Sequence, residues 1–233
     1  WFDVRKGAAP IARYLASVVR LRGERDPAVL EELATRLEFI AGEILPAADR
    51  SAFARFVDEL ALPAEHALGW TPRDGDDDTT RLGRAAVIDL LGRVARSPEI
   101  LAGAAHALQR YLADPASLDG AVADVVVGLA GQRGDHRLYD AYLGRLRAAR
   151  SPAERARFLE ALPRFRQPSL LHKTLSLALT DAVPAEVLPR FAVEIAAGGR
   201  GPRATEWSFL KTHFEALDHR VPRIGWLVGA AQQ

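Results

Sequence analysis

The chain has 233 residues, long enough to bury a sizeable core as one elongated domain or two compact ones. Its 31 Lys and Arg against 30 Asp and Glu leave a net charge of +1, so no global field draws it toward nucleic acid or an anionic membrane. The absence of cysteine excludes disulfides, thiolate metal sites and a cysteine nucleophile. No apolar run approaches the roughly 18 residues that span a bilayer, and the first residues carry no basic-then-apolar signal. The chain starts at Trp1 and contains no methionine, which reads as a piece of a longer protein.

Hydrophobic spacing is helical almost throughout. Leu30, Leu33, Leu37, Ile40 and Ile44 fall three and four apart on one face, as do Leu101, Ala104, Ala105, Leu108 and Leu112. Similar stripes occur at Leu138, Tyr142 and Leu146, and at Val187, Leu188, Phe191 and Ile195. Helices are expected over 9–22, 27–45, 47–67, 79–96, 98–113, 118–131, 135–149, 152–163, 168–180, 184–197 and 203–219. Ser97-Pro98-Glu99 and Ser151-Pro152-Ala153-Glu154 each place a capping hydroxyl, a first-turn proline and an acid at a helix start. Gly198-Gly199-Arg200-Gly201 reads as a helix C-cap and turn.

Between 69 and 80 the helical period stops: two glycines, a proline and Asp74, Asp76, Asp77 and Asp78 make a loop, with Thr79 or Thr80 expected to cap the next helix. Later helix starts recur near Pro98, Asp135, Pro168 and Pro202, spaced by 37, 33 and 34 residues. Short connections between helices of this length force antiparallel neighbours. A hairpin repeat with two apolar sides must stack. The expected fold is therefore all-α, with antiparallel helical hairpins stacked as a curved α-solenoid of the HEAT/ARM type. Residues 1–68 form a first helical layer, 69–80 an acidic loop and 81–233 the solenoid, the whole reading as one continuous domain.

Chemistry is sparse. Zinc hydrolysis needs two imidazoles one helical turn apart and a third ligand; His66, His106, His136, His172, His213 and His219 contain no pair four residues apart. The aspartate run has the wrong spacing for an EF-hand, since the twelfth position from Asp74 is Ala85. Ser169 and Ser176 show no obvious base partner, and Arg164-Phe165-Arg166 reads as a ring covering a hairpin turn between solvated arginines. Trp207 and Phe209 read as interhelical packing. No catalytic residue and no metal ligand is expected in the chain.

Several stretches resemble the C-terminal helical domain of the gluzincin zinc aminopeptidases, the alanyl, glutamyl and puromycin-sensitive enzymes. Leu68-Gly69-Trp70-Thr71-Pro72 resembles that family's Leu-Gly-Trp-x-Pro loop, and Leu82-Gly83-Arg84 stands where its next helix reads Leu-Arg. Asp135 to Tyr142 resembles its Gly-Asp segment and tyrosine-rich helix. Arg155 with Phe158-Leu159-Glu160-Ala161-Leu162 resembles its Glu-Arg-x-x-x-Leu-x-Ala-Leu run, and Pro168 to Leu171 continues it. Glu206-Trp207-Ser208-Phe209-Leu210-Lys211 resembles its Trp-x-Phe-Leu-Lys helix, with Phe214 where a second tryptophan stands.

The likeness covers about residues 10–220, while the family's His-Glu-x-x-His and Gly-x-Met-Glu-Asn motifs are not in this chain. It implies a non-catalytic domain that packs over the catalytic domain of a zinc metallo-aminopeptidase, closing the chamber and limiting or binding peptide substrates. Zinc would belong to the parent enzyme and the partners would be its N-terminal catalytic and sandwich domains, in the cytoplasm. Arg84, at the Leu-Arg position, is the candidate contact for a peptide's C-terminal carboxylate, against a surface ion pair. The alternative is a freestanding helical-repeat scaffold that binds a protein partner. An upstream His-Glu-x-x-His would discriminate the two.

Overall fold

The structure, a computed structural model, describes residues 1–221; the last twelve residues of the expected 81–233 segment lie outside the described residues. All regular structure among the described residues is helical, so the all-α expectation holds. The chain divides into two compact units, Trp1–Val126 and Val127–Gln233.

The first unit contains α1 (Phe2–Arg5), α2 (Ile11–Val18), α3 (Pro27–Phe39), α4 (Arg50–Leu68), α5 (Asp78–Asp89) and α6 (Pro98–Ala113). The unit boundary falls within α7 (Gly120–Arg133). The short α1 was not expected from the sequence; beside it the Trp1 ring packs against Tyr14 and Phe39, with centroids 5.1 and 5.8 Å away. At the centre of the unit lies α5, packed against both α3 and α4. Residues Gly83 to Ile88 are all buried on it. A helix buried on every face has neighbours on every side.

Both α3 and α5 run on into widened turns, Ile40–Ile44 and Leu90–Ala95. In the first, the amide of Leu45 reaches back five residues to the carbonyl of Ile40 at 3.0 Å. Arg93 in the second pairs with Asp89 of α5 at 2.8 Å and with Glu38 of α3. Arg96 then adopts a left-handed φ of 54°. Ser97 departs from the expected cap: its hydroxyl makes no capping bond to α6 and lies instead by Asp58 of α4, whose carboxyl burial raises and Ser97 pulls back down. Ser97 is buried, and there its hydroxyl meets the Asp58 carboxylate.

The second unit contains α8 (His136–Ala148), α9 (Pro152–Ala161), α10 (Pro168–Leu177), α11 (Leu188–Ala196), α12 (Arg200–Thr212) and α13 (Phe214–Arg220). Here α8, α10 and α12 begin within two residues of the expected repeat starts, and the bonds between helices repeat that period. His136 and Ser169, Asp140 and Lys173, and Gly134 and Gln167 are bonded pairs, each 33 residues apart. Glu160 and Arg190, and Arg164 and Glu194, are bonded pairs 30 apart. Equivalent positions of successive hairpins thus touch: α8 lies beside α10, and the α9 strip beside α11. Side-by-side stacking of like elements is what a helical repeat requires.

Four buried rings fill the first of these hairpins. Phe165 meets Tyr139 and Tyr142 edge-on with centroids 5.0 and 5.5 Å away, and Phe158 meets Tyr142 at 5.2 Å. The Tyr142 hydroxyl donates to the carbonyl of Val127 at 2.8 Å, and the Tyr139 hydroxyl shares a hydrogen bond with Thr174 at 2.9 Å. Burial pushes the Tyr139 phenol up to about 12 and raises the Tyr142 phenol as well.

Three local expectations are corrected. The helix expected over 203–219 is two helices, because His213 leaves helical geometry at φ −116° with its ring 4.3 Å from that of Phe209. Gly199, at φ 95°, makes the turn before them, so Arg200 and Gly201 belong to α12 and not to the preceding cap. Arg164 and Arg166 are part-buried, not solvated: Arg164 is paired with Glu194, and Arg166 donates to the carbonyls of Pro163 and Glu194.

Candidate functional site

The expected acidic loop joins α4 to α5 and borders a cleft of about 460 Å³, to which Arg25, Arg73, Asp76, Thr79 and Arg84 contribute. Gly69 ends α4 at φ 66°, where its amide donates to the carbonyl of Glu65 at 2.6 Å. Asp77, not Thr79 or Thr80, caps α5: its carboxylate accepts from the amide of Thr80 at 2.7 Å. Bonding to Thr80, first through its hydroxyl and then through its amide, holds the Asp77 carboxyl below its ordinary value.

Arg84 lies at the floor of the cleft and is 1% exposed. Its Nε donates to the carbonyl of Leu68 at 3.2 Å, satisfying an orphan acceptor at the end of α4. Its Nη2 donates to Asp76 at 2.5 Å. Asp76 also accepts from the amide of Arg73 at 2.8 Å, and that amide, then Arg84, holds its carboxyl low. One guanidinium thereby ties the end of α4, the loop and α5 together. The Nη1 of Arg84 is buried with no hydrogen-bond partner.

Gly83 explains how α5 sits so close to this cleft. A Cβ there would lie 2.3 Å from the carbonyl oxygen of Arg25, so only glycine permits the approach. Trp70 covers Gly103 of α6 in the same way, with ring carbon Cζ2 2.9 Å from where a Cβ would stand.

The remaining candidates are dispersed. His136, in α8, has the Ser169 partner that sequence reasoning did not find, with Oγ to Nε2 at 3.0 Å on an exposed face; the signal was the 33-residue period itself. Phe209 joins Leu171, Leu175, Ile195 and Leu217 in a buried cluster, whereas Trp207 is 54% exposed and is not interhelical packing. Among the described residues no three His, Asp or Glu side chains are placed together to hold a metal ion. No helix among them is long and apolar enough to cross a membrane.

Stacked two-helix repeats, with an all-helical unit before them in the chain, define a helical-repeat domain. The chain belongs to the ERAP1-like C-terminal domain family, whose model matches residues 1–231. It is also similar to Probable aminopeptidase 2 of Sulfurisphaera tokodaii, 35% identical over 79 residues, which are 34% of this chain and 10% of that protein.

Proposed function

We propose that this chain is the non-catalytic C-terminal domain of a zinc metallo-aminopeptidase, packing over the catalytic domain to close the substrate chamber and to limit or bind peptides. The observation that carries the reading is the family match over 1–231; the likeness to a probable aminopeptidase supports it. The partners are the catalytic and sandwich domains of the same protein, zinc is bound there, and peptides are the substrates. Closure of this kind excludes water and completes substrate contacts. A cytoplasmic location belongs to the same proposal and is checked by cell fractionation.

Arg84 is the proposed contact for a peptide's C-terminal carboxylate. Its buried, unpartnered Nη1 and the neighbouring Arg25 and Arg73 support that assignment. The carboxylate would compete with Asp76 for the guanidinium fork.

The test uses the parent enzyme and the 233-residue chain in parallel. The chain supplied with zinc is expected to leave aminoacyl p-nitroanilides uncut, while the parent cleaves them. Turnover by the chain alone overturns the division of labour. In the parent, Arg84→Gln should raise KM for long peptides and for their free-acid forms over C-terminal amides, leaving p-nitroanilide hydrolysis unchanged. Equal effects on acid and amide peptides remove Arg84 from the substrate contacts.

A further inference from the structure

Glu206 stands out among the carboxylates of the second unit. It lies on α12, which packs against α10, α11 and α13; it is 4% exposed, and its Oε1 is buried without any hydrogen-bond partner. A buried ionised carboxylate left unpaired is costly, so such a group takes up a proton instead. Burial accordingly pushes the Glu206 carboxyl up to about 8, with Arg203 pulling weakly the other way.

The charged groups on the surrounding elements are engaged elsewhere or set apart. On α11, Arg190 pairs with Glu160 and Glu194 with Arg164. On α10, Lys173 pairs with Asp140 and His172 is exposed. On α13, Glu215 and His219 are exposed, the half-buried Asp218 has interactions of its own, and Arg220 donates to the carbonyls of Ala178, Thr180 and Val183. Arg166 packs on Gly198 and donates to the carbonyl of Glu194. Among the described residues only Arg203, one turn earlier on α12, acts on the Glu206 charge. The Arg203 Nη2 donates to the carbonyl of Ala196, the last residue of α11, at 3.3 Å. Between these two helices stand Gly198 and Gly199, the latter in the left-handed region.

We propose that Glu206 is a proton-operated latch on the joint between α11 and α12. Neutral, it sits within the packing and leaves Arg203 on the Ala196 carbonyl. Ionised, it draws Arg203 across one helical turn and off the Ala196 carbonyl, which keeps only the Gly199 amide at 3.1 Å, so that the joint loosens. The sign comes from linkage: a carboxyl raised on folding holds its proton in the native state after the unfolded chain has lost it. Stability is full below the ordinary glutamate value and declines as pH rises toward the native value, where it levels.

Hydrogen exchange of the 233-residue chain, corrected for intrinsic rates, tests this from pH 5 to 9. In the wild type, protection of the α11 and α12 amides should fall by up to tenfold per pH unit until about pH 8. In Glu206→Gln it should stay at the acid-side level throughout. Identical profiles in the two proteins, or a wild-type loss spread evenly over the chain, overturn the latch. Should the glutamine variant fail to fold, carbon NMR of labelled glutamate carboxyls in the wild type decides. One carboxyl titrating above pH 6.5, with the amide signals of residues 196–203 shifting at the same midpoint, sustains the proposal, and the lack of either overturns it.

Discussion

Gly83 and Arg84 are neighbours on α5 with opposite demands on volume. Gly83→Ala would press a methyl group into the Arg25 carbonyl, backbone that cannot swing aside, and should cost about 1–3 kcal/mol by urea denaturation. Arg84→Ala would leave the Leu68 carbonyl without this donor and Asp76 with the Arg73 amide alone, a loss of about 1–3 kcal/mol. The carboxyls of Asp76 and Asp77 are both held low by their partners. Each therefore adds stability that is present above the ordinary aspartate value and is lost as pH falls through the native one. Unfolding midpoints followed from pH 6 to 2 should fall less steeply in Asp76→Asn than in the wild type. The Arg84 position was found from the sequence by resemblance; its burial was not, since four aspartates nearby suggested an exposed stretch. What the residue types conceal is that Asp76 folds inward while Asp78 points to solvent, with 13% and 96% of their side chains exposed.

Helix starts were the most readable elements because their chemistry is local. Asp26, Ser151 and Asp135 each accept from an amide two or three residues on, at 2.9, 3.1 and 2.9 Å. Asp135→Ala should lower stability by about 1 kcal/mol, read as a shift in the thermal midpoint of the second unit's helices. Ser97 has the same sequence context as Ser151 but a different role, decided by Asp58 from a helix some 40 residues earlier, and no local rule contains that partner. The break at His213 was unreadable for a related reason. At the break the His213 ring lies against Phe209, which is held in the cluster with Leu171 and Leu175, and that long-range setting is absent from the local sequence.

The repeat period runs through the chain from Pro98 onward, and the sequence carried it in its punctuation, as three prolines and an aspartate recurring at 33 to 37 residues. What the punctuation lacked was the seam chemistry that uses the period. The bond between Tyr139 and Thr174 crosses from α8 to α10 with both residues buried. Thr174→Val keeps the shape and strands the phenol, so it should cost about 1–3 kcal/mol. Protection should fall together in α8 and α10, as measured by hydrogen exchange. A loss confined to α10 would mean that the two hairpins are not coupled through this pair.

The widened turns at the ends of α3 and α5 have an evolutionary corollary. A turn closed over five residues already accommodates one residue more than a regular turn, so each is a place where the chain's length is negotiable. Deleting a residue within Ile40–Ile44 or Leu90–Ala95 would tighten the coil toward ordinary geometry. The same deletion elsewhere in either helix would rotate every later side chain by about 100° away from its neighbours.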